Sequence, residues 1–178
     1  VFNPPSFTNL VIDDSADATA RTINVSFNSI TGIAPAAINY AGNDVSTLRI
    51  EAGTGGDTFN INSLTTTPTY TFNGNNGNDV FNFAVGGLAL SSRLNANGGA
   101  GDDAFFVNFP AAGTLATFTF NIDGGSTTVT GRNVLVVSAN QVGDGSRNVT
   151  LAYTAATGGI SVQGGLGSAI SGTNLQQT

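Results

Sequence analysis

Three glycine-rich stretches that share the spacing of an aspartate and a phenylalanine decide how this sequence folds. They are Ala52-Gly-Thr-Gly-Gly-Asp-Thr-Phe-Asn60, Gly74-Asn-Asn-Gly-Asn-Asp-Val-Phe-Asn82 and Gly98-Gly-Ala-Gly-Asp-Asp-Ala-Phe-Phe106. Their aspartates, Asp57, Asp79 and Asp103, are separated by steps of 22 and 24 residues. Such a step is too long for a simple hairpin, and self-similarity at a fixed period is the signature of a repeat architecture.

Each stretch lies between two segments in which apolar and polar residues alternate, which is the pattern of a half-buried strand. The apolar pairs before the stretches are Leu48/Ile50, Tyr70/Phe72 and Leu94/Ala96, and those after them are Phe59/Ile61, Phe81/Phe83 and Phe105/Val107. No long stretch has apolar residues at helical spacing. The sequence therefore predicts an all-β fold, a β-solenoid similar to a parallel β-helix, with coils of about 22–24 residues.

Stacked coils bring equivalent side chains to the inter-strand spacing of about 4.8 Å. We expect an inward aromatic stack of Phe59, Phe81 and Phe105. We also expect a ladder of side-chain amides formed by Asn73, Asn97 and Asn121. The pattern slips once, because Phe118 and Phe120 keep the step of 24 residues whereas the next turn, at Asp123, comes two residues late.

The ends of the chain are less regular than its middle. The prolines within residues 1–7 predict an extended arm. Residues 8–163 are predicted to form the solenoid domain, although the repeat weakens after residue 125. Residues 164–178 are rich in Gly, Ser and Asn and are predicted to form a second arm. Both arms are candidates for docking onto a neighbouring subunit.

The composition excludes several classes of site. Only 9% of the 178 residues are charged, and the chain has no His and no Cys, while all its basic residues are arginine. A Ser-His-Asp triad, a thiol nucleophile and a zinc-thiolate site are therefore excluded. A net charge of -6 with scattered arginines predicts no nucleic-acid partner. No run reaches the roughly 18 apolar residues of a membrane span, so we expect no membrane insertion.

The glycine-rich stretches resemble the haemolysin-type (RTX) nonapeptide, Gly-Gly-x-Gly-x-Asp-x-apolar-x. The stretch from Gly98 keeps every Gly, Asp and apolar position, whereas Asn75 replaces one glycine of the second stretch and the first stretch begins with Ala52. The resemblance implies Ca2+ bound between stacked turns by Asp57, Asp79 and Asp103, with Asp102 adding charge. RTX coils are shorter and carry a nonapeptide on both sides, which this chain does not. The alternative is a set of plain Gly-Asp turns whose carboxylates bond to backbone.

The order of elements over residues 8–110 is similar to modules of large bacterial cell-surface or secreted β-strand-repeat proteins. These elements include the polar segment from Asp13 to Asp17 and the stretch from Ala36 to Tyr40. The resemblance implies a secreted or cell-surface location and a non-enzymatic structural role. We expect open coil ends to favour head-to-tail association with further copies of the chain.

Two alternatives to a structural role remain open at this stage. A β-helix can carry a glycan-binding adhesion surface or a polysaccharide-active enzyme site, which is an argument from fold alone. A glycosidase needs two carboxylates flanking the sugar bond, but Glu51 is the only glutamate and the aspartates lie in turns. We therefore predict that the chain is not an enzyme and has no catalytic residues, and we keep a glycan as the alternative partner.

Overall fold

The computed structural model describes residues 8–65, 68–84, 93–109, 119–126, 133–139, 149–154, 159–164 and 168–173. Among these residues, none lies in a helix long and apolar enough to cross a membrane. One 3-10 segment, Gly42–Asp44, interrupts an otherwise all-β structure. The strands are β1 (Thr8–Asp13), β2 (Thr22–Ser26), β3 (Ser29–Thr31), β4 (Ile38–Asn39), β5 (Val45–Glu51), β6 (Thr58–Ile61), β7 (Thr69–Asn76), β8 (Val80–Ala84), β9 (Arg93–Ala100), β10 (Ala104–Phe109), β11 (Thr119–Asp123), β12 (Val134–Ala139), β13 (Val149–Thr154), β14 (Gly159–Gly164) and β15 (Ser168–Thr173). The predicted all-β class is confirmed.

The strands form two sheets, and from β5 to β12 consecutive strands alternate between them. The first sheet has the order β1-β5-β7-β9-β11-β15-β14-β13, and the second has the order β12-β10-β8-β6-β2-β3-β4. Pairing is parallel from β1 to β15 in the first sheet and from β2 to β12 in the second. The glycine-rich stretches carry the chain from the first sheet to the second.

One apolar core lies between the two sheets. Strand residues alternate between buried and partly exposed positions, as in β7, where Tyr70 and Phe72 are buried and Thr69 and Thr71 are not. This alternation follows from the period of two residues in a strand. The same positions in neighbouring strands are also buried, because the pairing keeps equivalent residues in register.

Three phenylalanines on the second sheet form the continuous stack that the repeat predicts. The ring centroids of Phe59 and Phe81 are 4.7 Å apart, and those of Phe81 and Phe105 are 4.8 Å apart. The planes differ by only 5° and 8°, and all three side chains are fully buried. The spacing equals that of parallel strands, so the backbone pairing imposes the ring geometry.

The predicted amide ladder is only partly correct. The Asn97 Nδ2 donates to Asn73 Oδ1 at 2.5 Å, as expected. Asn121 does not continue this row: its Nδ2 donates to Asn95 Oδ1 at 2.9 Å, and Asp123 aligns with Asn97 instead. The physical reason is that β11 pairs with β9 two residues out of register with a step of 24. The two extra residues therefore lie before β11, and not in the turn at Asp123 where the sequence pattern placed them.

The second sheet carries an amide ladder that the repeat analysis missed. The Asn60 Nδ2 donates to Asn24 Oδ1 at 2.9 Å, and the Asn82 Nδ2 donates to Asn60 Oδ1 at 3.0 Å. Asn24 escapes the pattern because it precedes Asn60 by 36 residues. The extra length is the insertion that contains β3, β4 and the 3-10 segment.

Each sheet has antiparallel strands at one of its two ends. β2, β3 and β4 pair in antiparallel fashion at one end of the second sheet, and β15, β14 and β13 do so at the opposite end of the first sheet. The segment 164–178, predicted as an irregular arm, contains β15, which pairs in parallel with β11. The small residues of Ser168–Thr173 hide the alternation on which the prediction relied. The predicted arm at residues 1–7 lies outside the described residues.

The Phe81→Ala variant is expected to lower the free energy of unfolding by about 3–5 kcal/mol, because it removes the middle ring of a fully buried stack. The matched control is Phe27→Ala, since the Phe27 side chain is 51% exposed and its loss should change stability by about 0.5 kcal/mol or less. Urea unfolding of the three proteins measures both values. Equal losses for the two variants would contradict the stack as a main element of stability.

Candidate functional site

The three repeat aspartates come together in one buried column. Asp57, Asp79 and Asp103 each immediately precede a strand of the second sheet, namely β6, β8 and β10. These strands pair in parallel and in register, so the aspartates are brought into line. Their exposed fractions are 0%, 0% and 1%. The spacing of the repeat thus predicts correctly that the three carboxyl groups cluster, and they do so where the glycine-rich stretches join the second sheet.

One carboxylate oxygen of each aspartate accepts a hydrogen bond from the backbone of its neighbour. The Asp57 N–H donates to Asp79 Oδ1 at 2.6 Å, and the Asp79 N–H donates to Asp103 Oδ1 at 2.9 Å. The column continues at both ends, since the Arg21 N–H donates to Asp57 Oδ1 and the Asp103 N–H donates to Asn133 Oδ1. We call Arg21, Asp57, Asp79, Asp103 and Asn133 the Asp column.

Arg21 and Asn133 are the members that sequence reasoning missed. They stand 36 residues before Asp57 and 30 residues after Asp103, so they break the step of 22 and 24 residues. Their position could have revealed them in the sequence, because Arg21 immediately precedes β2 and Asn133 immediately precedes β12. Backbone bonds repeat the connection: the Thr58 N–H donates to the Arg21 carbonyl and the Val134 N–H to the Asp103 carbonyl, both at 2.8 Å.

The second carboxylate oxygens have different surroundings along the column. Asp57 Oδ2 accepts a bond from the Gly53 N–H at 3.1 Å. Asp79 Oδ2 and Asp103 Oδ2 are buried and have no hydrogen-bond partner. A Cβ added to Gly74 would lie 2.1 Å from the first of these oxygens, and the same holds for Gly98 and the second. The two oxygens therefore pack directly against glycine backbone.

Asn133 continues the column, and its side chain shows which hydrogen bond a donor makes at the position that Oδ2 occupies in the aspartates. Its Nδ2 takes the place of the second carboxylate oxygen and donates to the Gly124 carbonyl at 2.6 Å. Gly124 follows Asp123, which aligns with Asn97, so Gly124 corresponds to Gly98. By the same alignment, the Gly98 carbonyl is the candidate acceptor for a proton on Asp103 Oδ2. The column is thus chemically suited to neutral carboxylic acids.

Burial raises the pKa values of the aspartates in the column. Desolvation is the main cause and brings the pKa of Asp79 to about 7 and that of Asp103 to about 6, against an ordinary value of 3.8. Hydrogen bonds from backbone N–H groups oppose this shift, and neighbouring carboxylates add to it. The pKa of Asp57 is raised for the same main reason.

The Arg21 guanidinium group is bound by two acidic side chains outside the Asp column. The Arg21 Nε donates to Asp17 Oδ2 at 2.8 Å and lies 3.7 Å from Asp14 Oδ2. Hydrogen bonds from the Thr19 N–H and from Arg21 lower the pKa of Asp17. Arg21 therefore contributes its backbone N–H to the Asp column, while its charge is directed to the polar turn after β1.

Glycine at two positions allows the turns to lie as close as the column requires. Gly99 has a φ of +107°, and a Cβ there would lie 1.8 Å from the Asn75 carbonyl oxygen. Gly101 has a φ of +148°, and a Cβ there would lie 1.7 Å from the Gly77 carbonyl oxygen. These contacts exclude any side chain, so glycine is required for packing turn on turn.

The donor set does not fit a calcium ion in this arrangement. The Oδ1 atoms of Asp57, Asp79 and Asp103 already accept backbone bonds, and the Oδ2 atoms of Asp79 and Asp103 pack against glycine. Calcium needs about six to eight oxygen ligands, and within the described ranges no group of three acidic side chains is arranged to hold a metal. Calcium binding by Asp57, Asp79, Asp103 and Asp102 stays a prediction of the resemblance, and the backbone-bonded alternative agrees better with the geometry.

We expect stability to fall as the pH rises from about 4.5 to 8. The raised pKa values mean that the folded state holds its protons more tightly than the unfolded state. This contribution to stability is complete below the ordinary pKa of 3.8 and decreases as the pH rises above that value. It has been lost once the pH exceeds about 6 for Asp103 and about 7 for Asp79. Urea unfolding across this range measures it.

The matched control for the pH series is the double variant Asp79→Asn, Asp103→Asn. Asparagine keeps the Oδ1 acceptor and supplies the donor that Asn133 already uses, so the variant should fold and show a weaker pH dependence. A wild-type stability that stays level or rises between pH 5 and 8 would refute the neutral column.

The melting temperature is expected to agree within about 1 °C in EGTA and in millimolar calcium, because a ligand stabilises only a folded state that binds it. Magnesium at the same concentration is the control for ionic strength. An increase of several degrees with calcium alone, abolished by Asp79→Asn, would instead establish the calcium site.

Comparisons of the chain with protein-family models, with curated proteins and with solved structures found no match. The RTX resemblance therefore rests on the glycine-aspartate stretches themselves.

Proposed function

We propose that this chain is a non-enzymatic structural module of a bacterial secreted or cell-surface protein, built as a β-solenoid that associates end to end. The observation that carries the proposal is the alternation of in-register parallel strands between two sheets. In this interpretation β5–β6, β7–β8 and β9–β10 are successive coils of 22 and 24 residues. β1–β2 and β11–β12 are the outer coils; a longer segment separates β2 from β5, and a longer segment joins β11 to β12.

The stacked rows support the solenoid interpretation. The Phe59–Phe81–Phe105 stack, the Asn24–Asn60–Asn82 ladder and the Asp column all run along the same direction, across the strands of the second sheet. Rows of identical side chains at one inter-strand spacing are what coil-on-coil stacking produces. Such rows stiffen the stack along its axis, which suits a spacer or fibre.

The use of the polar groups supports a structural rather than a catalytic role. The aspartates of the column are buried and bond to backbone. Glu51 accepts from Asn73 Nδ2 at 2.6 Å and pairs with Arg49, so its carboxylate is also held internally. Hydrolysis of a glycoside needs two carboxylates facing a substrate, and these groups face each other or the backbone.

The ends of the sheets support association between copies. The outermost strand of the first sheet, β1, contains neither proline nor lysine, the residues that commonly protect an edge. The low charge content of 9% adds little electrostatic repulsion between copies. A head-to-tail contact that does not close gives a fibre.

Negative-stain electron microscopy together with light scattering over a concentration series tests the proposal. We expect rod-shaped particles and a mass that increases with concentration, because each end presents backbone groups that a further strand can pair with. A mass fixed at that of one chain at every concentration would refute self-association. Tight and selective binding on a glycan array would favour the adhesion alternative.

A further inference from the structure

The first sheet ends in two strands that each have one neighbour. β1 pairs with β5 and β13 pairs with β14, and in the part of the chain that the structure describes neither has a second partner strand. An edge strand presents a row of backbone N–H and C=O groups, whose natural ligand is another β-strand. Both edges of the first sheet can therefore bind the same kind of ligand, which is a further β-strand.

The direction of the two edge strands makes them complementary. β15 is parallel to β11, and two antiparallel pairings, of β15 with β14 and of β14 with β13, reverse the chain twice. β13 therefore runs in the same direction as β15, β11 and β1. A second copy translated along the stacking direction would bring its β1 alongside β13 in the parallel sense used through most of the sheet.

The two edge strands also match in length and in register. Both have six residues. One register row crosses the whole sheet: it consists of Val11, Arg49, Thr71, Asn95, Asn121, Ser171, Ser161 and Ala152. The rows that start at Leu10 and Ile12 end at Leu151 and Tyr153, so apolar residue types occupy the first and last register positions of both rows.

The second sheet is less suited to carry the contact. Its end nearest β1 is the strand β4, which has only two residues and is followed by the 3-10 segment. A strand this short offers few backbone groups for pairing. By contrast, β1 is long, and its Val11 side chain is 56% exposed. The first sheet is thus the surface through which a second copy can be added.

We propose that β13 of one copy pairs in parallel with β1 of a second copy, so that the first sheet runs continuously from copy to copy. This inference rests on the proposed end-to-end association and names the surface that produces it. Because β13 and β1 are different surfaces, the contact is heterologous and repeats without closing. The predicted partner is a second copy of this chain, with Ala152 beside Val11.

Engineered cysteines test the pairing directly, because the chain has none of its own. Residues paired in adjacent parallel strands lie about 4.8 Å apart, within the range that a disulfide bridges. The Val11→Cys, Ala152→Cys double variant should therefore give, on mild oxidation, a series of covalent dimers, trimers and larger species that collapses to one band with reductant.

Three control variants define the specificity of the cross-link. Each single variant, Val11→Cys or Ala152→Cys, should stay uncross-linked. The pair Val11→Cys, Ala84→Cys should also fail to form a series, since Ala84 is an exposed residue of the second sheet. Dimers from Val11→Cys alone would overturn the proposal, because they would mean that β1 pairs with β1 in a closed contact.

Hydrogen exchange of the unmodified chain gives a second readout that needs no substitution. We expect slower amide exchange in β1 and β13 at high than at low concentration, with little change in β6 and β8. If particles grow in the microscope but neither cross-linking nor protection of these edges appears, this pairing is wrong and the structural function stands. If the chain stays monomeric by light scattering, the proposed association itself fails, and this inference fails with it.

Discussion

Parallel pairing in register places each side chain directly over its equivalent in the next strand, at about 4.8 Å. Several kinds of side chain tolerate that repetition, including the aliphatic ones that alternate along these strands. Flat rings do, and Phe59, Phe81 and Phe105 stack almost face to face. Primary amides do as well, because each can donate to one neighbour and accept from the other, as Asn60 does between Asn24 and Asn82. The high content of Phe and Asn in this chain agrees with that constraint.

Carboxylates do not tolerate the same repetition, since like charges at this spacing repel and burial removes their solvation. The Asp column meets this difficulty in two ways. Each Oδ1 accepts a backbone N–H of the adjacent turn, and the raised pKa values let Asp103 take up a proton below about pH 6 and Asp79 below about pH 7. Asn133 continues the column as an amide that never ionises. The aspartates thereby connect successive turns through hydrogen bonds.

Sequence reasoning succeeded where the step between equivalent residues stayed at 22 or 24 residues. The Phe stack, the Asn73–Asn97 bond and the alignment of Asp57, Asp79 and Asp103 all follow from steps of 22 and 24 residues. It failed where an insertion or a slip changed the step. A two-residue slip leaves the same face of β11 inward, so hydrophobicity alone could not tell whether Asn121 pairs with Asn97 or with Asn95. Arg21 has the further disadvantage that it acts through its backbone, which no side-chain motif reveals.

At one end of each sheet there are two successive antiparallel pairings, and these set the direction of the outermost strand. A β-hairpin reverses the chain without the long crossover that parallel strands need, so antiparallel strands are an economical way to complete a parallel sheet. One reversal would leave an edge that opposes the direction of the stack. Two reversals restore it, both from β2 through β3 to β4 and from β15 through β14 to β13. The outermost strands thus keep the polarity of the interior, and the ends of the stack remain compatible with its own continuation.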